Sequence, residues 1–126
     1  MPDPPPDKTL GDVASPAAGS SSTERRAGPR YPFIATAEVT ELATGAKLSA
    51  RSAELGLGGC YIDTLNPFPA GTRVRLRLVT DKGTFETSGR VVYDQSVFGM
   101  GLAFTDVAPE QRAVLERWYA DLKAQA

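Results

Sequence analysis

The run Arg73-Val74-Arg75-Leu76-Arg77-Leu78 alternates a cation with an aliphatic residue at a strict period of two. A helix would scatter those aliphatics around its circumference. A strand gathers Val74, Leu76 and Leu78 on one face and sends the three arginines to the other. The chain must therefore build a sheet with one dry face and one wet face, and must satisfy both edges of this strand.

Several neighbouring segments also read as strands. Phe33 to Thr40 is rich in β-branched and aromatic residues and ends at the turn signal Ala43-Thr44-Gly45-Ala46. Lys47 to Ala53 alternates small and polar residues and fits the return strand of a hairpin. Cys60 to Thr64 follows Gly56, Gly58 and Gly59, and Asn66-Pro67-Phe68-Pro69-Ala70-Gly71 then interrupts regular structure. Asp81-Lys82-Gly83 is a turn. Thr84 to Asp94 is a long strand with a bulge or bend expected at Gly89, and Phe98 to Phe104 is a sixth strand. Only the last segment is helical: Pro109 suits a first turn, and Val114, Leu115, Trp118 and Leu122 share one face. That stripe is expected to pack on the sheet or close a barrel end. Six short strands and one helix predict an all-β fold, a six-stranded antiparallel barrel with a C-terminal α-helix, because closure removes exposed edges.

Composition narrows the chemistry. The 126 residues contain no histidine and one cysteine, Cys60, which excludes histidine-dependent metal sites and nucleophile–histidine pairs. An enzyme is not expected. Cys60 reads as a small hydrophobe that points into the barrel or sits on a strand. No apolar run is long enough for a membrane span, and the opening Met1-Pro2-Asp3-Pro4 is unlike a signal peptide, so a cytoplasmic location is expected. The net charge of −1 conceals an asymmetry. Residues 1–24 carry Lys8 against Asp3, Asp7, Asp12 and Glu24, and the other 13 basic residues face 11 acidic ones. That lead is rich in Pro, Ala and Ser and has too few large aliphatics to offset its ordering entropy of about 1–2 kcal/mol per residue. It is predicted to be a disordered tail before a domain at 25–124.

Two places carry candidate binding chemistry. Arg25, Arg26 and Arg30 lie among Gly28 and Pro29, in a stretch that cannot be helical. Arginine forks match phosphate oxygens and the O6/N7 edge of guanine, and their flat faces stack on purines. A solvated basic linker is the bland alternative. The second place is Glu54-Leu55-Gly56-Leu57-Gly58-Gly59, where glycines expose backbone N–H groups and allow a close approach, and where Glu54 can accept from a guanine edge. The bland alternative there is a glycine-rich connection. Arg73, Arg75 and Arg77 read as a solvent-facing row that discourages edge pairing, the alternative being a positive surface extended toward the phosphates of a ligand. A domain charge of only +2 with no interleaved aromatic row speaks against nucleic acid.

The order of these elements resembles the PilZ domain family of bacterial proteins. The shared features are Arg26-x-x-x-Arg30 before the first strand, Glu54-x-Gly56-x-x-Gly59 after the first hairpin, the Gly58-Gly59-Cys60-Tyr61-Ile62 strand, Pro69-Ala70-Gly71-Thr72, and Gly99-Met100-Gly101-Leu102-Ala103-Phe104. The resemblance covers about Glu24 to Leu122. It implies a six-stranded barrel that binds the second messenger cyclic di-GMP without catalysis or cofactor. Arg26 and Arg30, with Arg25 beside them, would grip phosphates and guanine as their loop orders over the ligand and signals to a downstream protein partner. The family's second motif has Asp or Asn first and Ser third; here Glu54 and Gly56 stand in those places, while Gly59 matches. The lost hydroxyl removes one hydrogen bond, worth about 0.5–1.5 kcal/mol, although Gly56 is expected still to offer its N–H. The alternative implied by the altered motif is an interaction adaptor, in motility or pilus assembly, that no longer binds the nucleotide.

Overall fold

A computed structural model describes residues 28–126. The predicted tail, Arg25 and Arg26 lie outside the described residues. In chain order the elements are β1 (Tyr31–Pro32), β2 (Thr36–Glu41), β3 (Lys47–Leu55), β4 (Gly59–Asp63), β5 (Arg73–Thr80), β6 (Gly83–Gln95), β7 (Gly99–Thr105) and the helix α1 (Pro109–Gln125).

All pairings are antiparallel, in the order β3-β2-β5-β6-β7-β4, and β4 pairs back onto β3 to close a six-stranded barrel. The alternation read from β5 holds: Val74, Leu76 and Leu78 are fully buried and Arg73, Arg75 and Arg77 are exposed. Arg77 pairs with Glu86 at 3.3 Å and Glu38 at 3.6 Å, and Arg75 lies 3.7 Å from Glu86. Such half-exposed pairs add little stability. They fit the reading of a solvated row. Cys60 is fully buried in the core beside Leu55, Ile62, Phe85, Met100 and Leu102.

The helix covers the barrel with Leu115 and Trp118, which is the packing role expected of its apolar stripe. The Trp118 ring lies 5.3 Å from Phe33 and 6.3 Å from Phe85, and Phe85 meets Phe104 edge-on at 5.3 Å. No helix among the described residues is long and apolar enough to cross a membrane.

Two local readings change. The first strand is not continuous: β1 and β2 both pair with β3, but between them Phe33–Ala35, three residues, face only Ser52 and Ala53, which interrupts the regular ladder while two backbone bonds to β3 remain. Ser52 explains the break. Its buried hydroxyl accepts from the Ala35 N–H at 3.0 Å and donates to the Phe33 carbonyl at 2.6 Å, a side-chain staple that adds to the backbone bonds Phe33 N–H to Ala53 carbonyl (2.9 Å) and Ser52 N–H to Ala35 carbonyl (3.0 Å). The irregularity expected at Gly89 falls instead between Val91 and Tyr93. Gly89 itself stays in register with Val74 and Phe104, where a side chain would press on the Ala103 carbonyl.

Candidate functional site

The short β1 pairing determines where the arginine segment goes. Tyr31 and Pro32 sit opposite Leu55 and Glu54, so the residue before them, Arg30, is delivered to the end of β3 where the glycines begin. Upstream, the Tyr119 hydroxyl of α1 donates to the Pro29 carbonyl at 3.3 Å, and the Tyr31 and Tyr119 rings lie 5.4 Å apart. The helix thus supports the segment from behind.

Arg30 lies across the glycine turn. A Cβ at Gly56 would stand 2.9 Å from the Arg30 Cγ, and one at Gly59 would stand 3.0 Å from Arg30 Nη2 while also striking the Leu102 carbonyl. The glycines are therefore a seat for an arginine as well as an opening for a ligand. Of the residues singled out from the sequence, Arg30, Glu54, Gly56 and Gly59 are brought together here; Arg25 and Arg26 lie outside the described residues.

One detail corrects the sequence reading. The Gly56 N–H donates to the Gly59 carbonyl at 2.8 Å, closing the turn, so it is not on offer to a ligand. Among the described residues the donors left over are one step along: Leu57 and Gly58 give their N–H groups to no backbone carbonyl. They form the tip of the turn, with Gly58 exposed.

Tyr61 and Tyr93 were not among the predicted site residues. Both pair in register with Gly101, one from each side, and their rings lie 6.1 Å apart. The Tyr93 ring rests on Gly101, where any side chain would collide with it. Burial raises the Tyr93 hydroxyl above its ordinary pKa, the Arg30 guanidinium opposes that rise as a charge and a hydrogen-bonding neighbour, and Glu54 adds to it. Arg30, Glu54 and Tyr93 thus share one electrostatic neighbourhood. Tyr61 is also raised, first by burial and then by Tyr93, Asp63 and Glu54, and its hydroxyl donates to Gln95 Oε1 at 2.6 Å. The signal for this wall was the alternation Gly99-x-Gly101-x-Ala103, which leaves the outer face of β7 without bulk. The bulge after Val91 places Tyr93 there, and strict alternation does not foresee it.

The resulting surface combines a guanidinium, a carboxylate, unspent N–H groups and two aromatic rings. It can bind a flat, hydrogen-bonding, anionic molecule. Among the described residues it pairs no nucleophile with a base.

The same barrel occurs in solved structures. The PilZ domain of YcgR from Escherichia coli with cyclic di-GMP is 19% identical, with a TM-score of 0.64 over 80% of this chain and 93% of that one. YcgR from Escherichia coli in complex with cyclic di-GMP gives 20% identity and a TM-score of 0.68, over 80% of this chain and 47% of that one. PlzA from Borreliella burgdorferi in complex with cyclic di-GMP gives 15% and 0.59, over 76% and 41%. The chain thus spans under half the length of the last two. No curated protein sequence matches it. At such identities the likeness establishes the fold alone, but the PilZ domain family model also matches residues 24–121, from the arginine segment through most of α1. With barrel, arginine seat and glycine turn in one continuous match, the chain belongs to the PilZ domain family.

Proposed function

We propose that this protein is a non-catalytic cytoplasmic receptor for cyclic di-GMP. The observation that carries the reading is Arg30 lying on Gly56 and Gly59 beside Glu54, which joins both sequence motifs in one place. The structural relatives solved with cyclic di-GMP support it. Arg30 provides a fork for a phosphate or for the O6/N7 edge of guanine, and Glu54 accepts from the opposite guanine edge. The Leu57 and Gly58 amides donate from the turn tip. Arg26, with Arg25 beside it, closes over the ligand as the preceding loop orders, and that ordering changes the surface offered to a downstream protein partner. Glu54 is a methylene longer than the family's acid or amide and the Gly56 side lacks a hydroxyl, so affinity is expected to be weaker than the full motif allows, by about three- to tenfold for the hydroxyl.

Calorimetric titration with cyclic di-GMP tests the reading. Heat that disappears in Arg30→Ala supports it. Absence of heat at high micromolar protein refutes it and favours the second reading, an interaction adaptor without nucleotide. The observation on that side is that Arg30 fills the seat itself and the Gly56 N–H is already used. A Glu54→Asp, Gly56→Ser double variant that gained binding from none would favour the adaptor reading.

A further inference from the structure

The strand registers align one cross-strand row on the outer wall: Gly59 of β4, Ala103 of β7, Arg90 of β6 and Arg73 of β5. Arg73 and Arg90 are exposed and directly opposite one another. Like charges in that relation repel, and sheets normally avoid them or place a carboxylate nearby. Arg75 and Arg77 follow that rule through Glu86 and Glu38. Among the described residues, no ion pair involves Arg73 or Arg90.

That like-charged pair shares its row with the seat of Arg30. Strands lie about 4.8 Å apart, so Arg90 stands about 10 Å from Gly59, with only the small Ala103 between them. Arg73 lies on the far side of Arg90, and Arg75 lies diagonal to it, so repulsion favours an Arg90 guanidinium turned toward β7. There, Gly101 and Ala103 leave the wall free of bulk except for the Tyr93 ring. An anion resting on Ala103 would be held between Arg30 on one side and Arg90 on the other.

We propose that Arg90 is a further ligand-binding residue, a phosphate-contacting wall opposite Arg30, with Arg73 reinforcing its charge. The inference rests on the reading of the site as a cyclic di-GMP receptor. A cyclic dinucleotide carries two phosphates on one ring, and the row supplies two cationic sites across a flat floor. Arg30 and Arg90 then divide the anionic ligand between them.

Titration of the full chain with cyclic di-GMP across a salt series provides the test, using wild type, Arg90→Ala, Arg90→Lys, Arg73→Ala and Arg75→Ala. Loss of one charge-assisted contact is expected to weaken binding roughly tenfold in Arg90→Ala, with a shallower dependence on salt. Arg90→Lys should recover part of the affinity and the original salt slope. Arg73→Ala should lose less, about two- to threefold, and Arg75→Ala should stay within twofold because Glu86 already holds that side chain. Circular dichroism confirms the fold of each variant, and Arg90→Gln, which keeps the polar stem, replaces Arg90→Ala if the latter fails to fold. Wild-type binding with Arg90→Ala within twofold and an unchanged salt slope overturns the Arg90 assignment alone. Failure of wild type to bind overturns the receptor reading and this inference together.

Discussion

Removing the Ser52 hydroxyl should destabilise the barrel and loosen the arginine segment at the same time. Ser52 is buried, and its Oγ both accepts from the Ala35 N–H at 3.0 Å and donates to the Phe33 carbonyl at 2.6 Å. Ser52→Ala deletes both bonds and leaves the N–H of a buried residue with no replacement. Two bonds at about 0.5–1.5 kcal/mol each, plus the penalty on an unsatisfied buried donor, give a loss of about 2–3 kcal/mol. For a domain of this size that corresponds to a fall in Tm of roughly 10–20 °C. Urea unfolding followed by Trp118 fluorescence is a suitable assay, since Trp118 packs on Phe33 at 5.3 Å, next to the staple. The same variant should weaken cyclic di-GMP binding, because Phe33 to Ala35 connects the segment carrying Arg30 to the barrel. A loss below about 0.5 kcal/mol with an unchanged urea slope would refute the staple, because a surface hydroxyl gives that result.

Other perturbations probe different parts. Gly101→Ala should expel the Tyr93 ring from the outer wall, lowering stability by about 1–3 kcal/mol and cyclic di-GMP affinity with it; Tyr93→Ala in the same background should relieve the clash. Leu115→Ala, at a fully buried helix position, should cost about 2–5 kcal/mol in chemical denaturation. Burial pushes the Cys60 thiol up to about 12, with Arg30 opposing only in part. The folded chain therefore keeps a proton that the unfolded chain releases from its ordinary pKa of 9.0 upward, so stability should fall as pH rises through that window. The slope approaches about 1.4 kcal/mol per pH unit in urea titrations and should shrink in Cys60→Ala. A thiol reagent at neutral pH should label Cys60 only after denaturation, and fast labelling of the native protein would contradict its burial.

The barrel was legible because its strands announce themselves by a two-residue period that only a sheet can use. Arg73 to Leu78 shows this most cleanly, and Val114 to Leu122 marks the single helix in the same way. What escaped depends on irregularities in those ladders. Ser52 reads as one more small polar residue of a strand, and only the tertiary crossing of Phe33–Ala35 makes its hydroxyl a staple. Tyr93 faces the outer wall because a bulge follows Val91, and no local composition marks that spot more strongly than Gly89. The Gly56 N–H appeared available because sequence shows that a glycine is present but not which carbonyl its turn closes on. Arg30, Glu54 and Gly59 were visible as separate motifs. Their convergence follows from the two-residue pairing of Tyr31 and Pro32 with Leu55 and Glu54.

The central claim is that the arginine seat on the glycine turn is where cyclic di-GMP binds. Heteronuclear NMR of the nitrogen-labelled chain, titrated with cyclic di-GMP, tests it most directly by reading each backbone amide separately. The largest shifts should fall on Arg30, Glu54, Leu57, Gly58, Gly59 and Gly101, and should vanish in Arg30→Ala. Shifts confined to other faces of the barrel, or a spectrum unmoved by saturating cyclic di-GMP, would contradict it.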